Sequence, residues 1–167
     1  DVDIEVSANS ETLAQKILDR ITIADEKIGK GISFETKMKD INNSKDEKSS
    51  MSINYSISMP SNNALTVKNE FGATTIPDFR GEVDLTSKFG SLTTGNLSSI
   101  KSIHVEFGKA NLTNITSAPV TIKFSKAVIS KLSGAVKMNL EFCSSVRLNL
   151  DVNLSSLDLK TSYSTVN

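Results

Sequence analysis

From Leu65 onward, apolar and polar residues alternate in short runs, and the runs recur at a nearly constant interval. Leu85 (with Ser87), Ile103 and Val105, Val120 and Ile122, and Met138 and Leu140 are the apolar members. Between them stand Asp84, Thr86 and Lys88, then His104 and Glu106, Thr121 and Lys123, and Asn139 and Glu141. This period of two belongs to a half-buried strand. Each run closes on an aromatic followed by a small residue: Phe71-Gly72, Phe89-Gly90, Phe107-Gly108, Phe124-Ser125 and Phe142-Cys143, at spacings of 18, 18, 17 and 18. Eight residues beyond each aromatic comes Phe79, Leu97, Ile115, Leu132 or Leu150, with Ile76, Leu92, Leu112 and Ile129 on the way. One repeat therefore reads as strand, tight turn, second strand and polar turn. A fixed period of this length marks a solenoid, in which a repeat buries its apolar face only by stacking on its neighbours. Gly72, Gly90 and Gly108 suit a corner with positive φ, with Ser125 and Cys143 as weaker substitutes.

The residue before each aromatic alternates in sign: Glu70, Lys88, Glu106, Lys123, Glu141. Parallel strands stack about 4.8 Å apart, so coils in register bring opposite charges side by side, and like charges would oppose that register. If Thr161 takes the aromatic position of the last repeat, Lys160 continues the series. Two irregularities stand out. Arg147 falls where other repeats carry an aliphatic residue, so Cys143-Ser144-Ser145 holds one extra residue. Tyr163 leaves the last alignment open between itself and Thr161.

The fold class expected is mainly β: a single-stranded parallel β-helix of five to six coils over residues 61–167, preceded by an α/β cap over residues 1–60. In that first part Val2, Ile4 and Val6 alternate with acids as a strand does. Asn9 or Ser10 caps a helix that carries Leu13, Ile17, Leu18 and Ile21 on one face. Ile23 to Ile28 and Ile32 to Met38 read as a hairpin around Gly29-Lys30-Gly31. Asp40 to Ser50 is polar apart from Ile41 and reads as a loop. Met51, Ile53, Tyr55, Ile57 and Met59 alternate with polar residues up to Pro60. A solenoid end exposes unpaired backbone, so a cap is expected there. No second cap is visible after Val166, and the last coil is expected to dock further chain or a second copy.

Composition narrows the partners. Lys+Arg and Asp+Glu are both 19, which gives no net charge and disfavours nucleic acid or anionic membrane. No apolar run is long enough to span a bilayer. Residue 1 is Asp, consistent with a signal peptide removed upstream.

Candidate chemistry is sparse. Cys143 is alone and reads as a small corner residue. His104 is the single histidine, on an outward strand position whose neighbouring coils offer Thr86 and Thr121. Asparagines followed by x-Ser/Thr occur at Asn42, Asn54, Asn96, Asn111, Asn114 and Asn153. Asn96 and Asn114 align with Asp78, Lys131 and Asn149 seven residues after the aromatics, where turn chemistry explains them. Asp78, Glu82 and Asp84 form the one local acid cluster. No catalytic, cofactor-binding or metal-ligating residue is assigned.

The 18-residue spacing invites comparison with hexapeptide acyltransferases, but Gly95 and Lys101 fall where their hexad needs aliphatics. The segment Ser52 to Pro60, with Val67-Lys68-Asn69-Glu70-Phe71-Gly72 and Leu85-Thr86-Ser87-Lys88-Phe89-Gly90-Ser91-Leu92, resembles a bacterial adhesin-type domain family of unknown function found in cell-envelope proteins. The resemblance covers nearly the whole chain. It implies a β-solenoid, export and an envelope location, periplasmic or extracellular, and brings no binding or catalytic residues with it. The expected function is a non-enzymatic adhesin or binding scaffold that presents a rigid solenoid face to a cell-surface protein or glycan. The alternative is a glycan-processing enzyme with carboxylates on one face, which needs two acids converging in a groove.

Overall fold

The computed structural model describes residues 1–28, 31–39 and 48–167. The chain divides into two compact units, Asp1–Ser58 and Met59–Asn167. In the first, β1 (Val2–Ala8) leads into α1 (Glu11–Leu18), followed by β2 (Ile21–Ile28), β3 (Gly31–Met38) and β4 (Ser49–Tyr55). Ser10 is the N-cap: its Oγ accepts from the Leu13 amide at 3.2 Å, satisfying one of the orphan donors of the first turn. The helix buries Leu13 and Ile17, as its periodicity predicts. β2 and β3 pair antiparallel as the expected hairpin requires, with Gly29 and Lys30 of its turn outside the described residues, and β4 pairs antiparallel with β1 from Val2↔Tyr55 to Ala8↔Ser49. The alternating stretch ends as a strand at Tyr55, before Ile57 and Met59, and Ser49 and Ser50 belong to that strand. Residues 40–47 of the expected loop lie outside the described residues.

The second unit is a parallel β-solenoid. Its strands are β5 (Leu65–Asn69), β6 (Gly72–Ile76), β7 (Phe79–Lys88), β8 (Gly90–Thr94), β9 (Leu97–Glu106), β10 (Lys109–Leu112), β11 (Ile115–Thr116), β12 (Pro119–Lys123), β13 (Lys126–Glu141) and β14 (Ser145–Ser162). Before each aromatic, β5, β7, β9, β12 and the ends of β13 and β14 pair in parallel, and after it β6, β8, β10 and the starts of β13 and β14 do the same. A third, shorter run pairs Phe79 with Leu97 and Ile115 with Leu132. The core fills with the residues singled out by period: Leu85, Ile103, Val105, Val120, Ile122, Met138 and Leu140 are all at most 2 % exposed. Phe79, Leu97, Ile115 and Leu132 are buried as expected, but Leu150 is 62 % exposed because it belongs to the outermost coil.

The corner itself differs from expectation. Positive φ falls on the aromatics, with Phe89 at 51°, Phe107 at 53°, Phe124 at 48°, Phe142 at 52° and Tyr163 at 49°; of the corner glycines only Gly72, at 91°, shares it. Left-handed backbone costs an L-residue roughly 1–2 kcal/mol. Part of the return is that each corner amide bonds the next coil: Phe89 N to Glu106 O at 3.0 Å, Phe107 to Lys123 at 3.1 Å, Phe124 to Glu141 at 2.9 Å. Gly90 and Gly108 are required by proximity. A Cβ on Gly90 would lie 1.8 Å from the Gly72 carbonyl oxygen, and one on Gly108 1.9 Å from that of Gly90. Farther along, hydroxyls take over this junction. Ser125 Oγ accepts from the Gly108 amide at 2.9 Å, and Ser164 Oγ accepts from the Cys143 amide at 3.0 Å.

The last coil corrects one alignment. Tyr163, not Thr161, stacks on Phe142, and the residue that faces Glu141 in register is Ser162, not Lys160, which pairs with Asn139. The charge series therefore stops at Glu141. The extra residue after Phe142 is present: Ala127, three beyond Phe124, pairs with Val146, four beyond Phe142. Further register shifts around Gly134 lengthen the last coil to a 21-residue step from Cys143 to Ser164.

Candidate functional site

Strand alternation would turn each aromatic inward, since it shares parity with the buried positions two and four residues earlier. The left-handed corner breaks that parity and turns the rings out. Phe71, Phe89, Phe107, Phe124, Phe142 and Tyr163 form one continuous stack along the solenoid, with centroids 4.7–5.4 Å apart and planes within 17° of parallel. The inner four rings remain 44–52 % exposed. Their faces are covered by neighbours, so edges meet solvent; the end rings, Phe71 and Tyr163, are 73 % and 84 % exposed. Sequence reading found these rings by period but missed their exposure. The one signal available was the small residue after each aromatic, which cannot cover a ring.

Beside this ridge runs the charge column. Lys88 Nζ lies 3.5 Å from Glu106 Oε2, and Lys123 Nζ 3.0 Å from Glu141 Oε2. Glu106 also receives His104 Nε2 at 3.5 Å, so the histidine has an acid partner within its own strand besides Thr86 and Thr121 in the neighbouring coils. The Lys123 ammonium and the Asn139 amide together hold the Glu141 carboxyl below the usual range.

The acid cluster does not act as a unit. Asp78 Oδ1 accepts from the Asn96 backbone amide at 2.6 Å and its side-chain amide at 3.2 Å, which lowers its pKa. It borders a shallow depression of about 430 Å³ with Ser61, Phe79, Arg80, Asn96 and Ser98. Asp84 Oδ1 accepts from Ser102 at 2.6 Å and its Oδ2 pairs with Lys101 at 3.0 Å, so it too is held low. Glu82 is exposed and contributes a weaker attraction to Lys101, whose pKa Asp84 raises. A general acid needs a shift in the opposite direction for Asp78 and Asp84.

The Asn/Asp column bonds across coils instead of to its own backbone. Asn114 Oδ1 accepts from Leu97 N at 2.7 Å and its Nδ2 donates to Leu97 O at 3.1 Å. Lys131 and Asp151 extend this side with an ion pair at 3.1 Å. Asn54 donates to Ser52 Oγ, Asn153 donates to Asp151, Asn111 is half-buried, and Asn42 lies outside the described residues. Cys143 is buried at the corner, its Sγ 3.2 Å from the Ile122 carbonyl. Among the described residues no three His, Cys, Asp or Glu side chains gather as a metal would require, and no helix is long and apolar enough to cross a membrane.

No protein-family model, curated protein or solved structure matches the chain. The ridge of ring edges, flanked by paired charges, runs without a break from Phe71 to Tyr163.

Proposed function

We propose that this chain is a non-enzymatic binding scaffold of the cell envelope, exported and displayed in the periplasm or outside the cell, whose solenoid ridge holds a cell-surface protein or glycan. The observation that carries this reading is the uninterrupted stack of exposed aromatic rings on an in-register parallel sheet. An exposed apolar stripe rimmed by polar residues is the usual character of an interaction surface. Its rigidity supports the same role, because a pre-ordered surface loses little conformational freedom on binding. The envelope location rests on the resemblance of the Val67–Gly72 and Leu85–Leu92 segments to envelope domains.

A glycan array and a panel of purified envelope polysaccharides and proteins, probed with the intact chain, test the reading. The control is the double variant Phe107→Asn, Phe124→Asn, because asparagine tolerates left-handed backbone while removing the ring. The expected result is binding by the wild type that falls at least tenfold in the variant at unchanged melting temperature. Equal binding by both proteins would remove the ridge from the account. A bound glycan that shortens with time, and does so only while Asp78 and Asp84 are intact, would replace the scaffold with a hydrolase.

A further inference from the structure

Among the described residues of the solenoid, charges that face one another across coils oppose in sign, with one exception. Lys88 faces Glu106, Lys123 faces Glu106 on one side and Glu141 on the other, and Lys137 faces Asp158. On the sheet that follows the aromatics, Lys109 of β10 faces Lys126 of β13. Both are exposed, and the alternation that buries Ala110 and Ala127 turns them outward. Like charges so placed destabilise a sheet. Lysine on a strand can guard a free edge. Here β10 and the start of β13 have bonded neighbours on both sides, so there is no edge to guard.

The surrounding residues leave the pair uncompensated. The strand segments of this sheet, Gly72–Ile76, Gly90–Thr94, Lys109–Leu112, 126–129 and 145–148, contain no acid. Arg147, one coil beyond Lys126 and two residues along, adds a third exposed cation beside Val128. None of the three lies within ion-pair distance of an acid among the described residues. Their other neighbours in register are short and polar. Ser91 stands beside Lys109 and Ser145 beside Lys126, while Thr75, Thr93 and Asn111 lead up to Val128 and Arg147. Coils about 4.8 Å apart let the two ammonium groups reach one oxyanion, each by a charge-assisted hydrogen bond.

We propose that this acid-free face is a second binding site, separate from the aromatic ridge, for the oxyanions of an acidic glycan. Lys109 and Lys126 clamp one carboxylate or sulfate, Arg147 meets the next charge along the axis, and Ser91, Thr93 and Asn111 bond sugar hydroxyls. Other polyanions fit less well. A membrane surface is held by clusters of about four to eight Lys and Arg, more than the three cations here. Single-stranded nucleic acid needs aromatic faces on which bases stack, and the inner rings of the ridge cover one another's faces. The site requires a charged ligand and no ring contact, so it is independent of the ridge.

Titration of the full chain with polygalacturonate and with dextran sulfate tests the proposal and separates carboxylate from sulfate. Fully methyl-esterified polygalacturonate and unmodified dextran are the neutral controls. The wild type is expected to bind at least one acidic polymer and neither neutral one, more weakly as salt rises from about 50 to 200 mM. Lys126→Glu faces Lys109 with an acid, so affinity is expected to fall on the order of tenfold. The melting temperature should hold or rise, because a like pair becomes an opposite one, and loss of binding therefore does not reflect unfolding. Lys126→Arg is expected to keep binding. The ridge variant Phe107→Asn, Phe124→Asn is expected to keep it too, which separates this site from the ligand of the ridge. Absence of binding to both acidic polymers, binding unchanged in Lys126→Glu, or equal affinity for polyglutamate or single-stranded DNA would each overturn the proposal.

Discussion

Gly72 and Gly90 hold equivalent corners in successive coils but need glycine for different reasons. Gly72 has φ of 91° and nothing within 4 Å of a would-be Cβ, whereas Gly90 would drive its Cβ into the Gly72 carbonyl oxygen. Gly72→Ala is therefore expected to cost about 1 kcal/mol from backbone strain, and Gly90→Ala about 3 kcal/mol because two coils must separate. Denaturant unfolding of the two variants checks the order, and equal losses would refute the distinction. Ser87 offers the opposite case. Its Oγ is buried without a hydrogen-bond partner, at the core position that Val105, Ile122 and Leu140 fill in later coils. Ser87→Val is expected to stabilise the protein by about 1 kcal/mol by removing an unsatisfied hydroxyl from the core. At this scale the sequence shows which positions are small or apolar. It could not show that the aromatics would take the left-handed backbone, because their corner amides bond the next coil, 16 to 20 residues away.

At the scale of the strand, alternation of charge controls register more than stability. Lys88 lies between Glu70 and Glu106, and it pairs with Glu106 at a partly exposed site. Lys88→Glu makes three consecutive acids and is expected to lower stability by about 1 kcal/mol more than Lys88→Ala at low salt. High salt should close that gap, as it screens exposed charges; a gap that persists in molar salt would point to packing instead. The strands, their order and their apolar faces were legible because period two and the repeat length reinforce one another. The last coil was not, because its register shifts near Gly134 leave no mark in the spacing until the stack of Tyr163 on Phe142 fixes the end. The acid cluster was legible as a cluster but not in its role, since the acceptors Asp78 and Asp84 face donors one coil away.

Those cross-coil bonds, together with a local one at Asp151, make stability depend on acid. Asp78, Asp84, Glu141 and Asp151 all have carboxyls held below their usual range, chiefly by hydrogen bonds from Asn96, Ser102, Lys123 and Asn153 respectively. The unfolded chain therefore binds protons first, at pH about 4. Their stabilisation is complete above that pH and is lost as pH falls through it toward the lower folded values. The melting temperature is expected to be flat from pH 7 to about pH 5 and to drop below pH 4. Asp78→Asn, which still offers an oxygen to the Asn96 amide, should flatten part of the decline. A melting temperature that rises on acidification would contradict the sign for the group as a whole.

Across the whole solenoid unit, contacts run only between adjacent coils, so opening is expected to start where one neighbour is missing. The core of β9 and β12 has coils on both sides, whereas β14 is bonded along its length to β13 alone. Amide hydrogen exchange should therefore grade along the axis, slowest at Val105 and Ile122 and fastest from Asn149 to Ser162. A flat profile, with Val105 and Ile122 exchanging as fast as Asn149 to Ser162, would show that the coils open together instead.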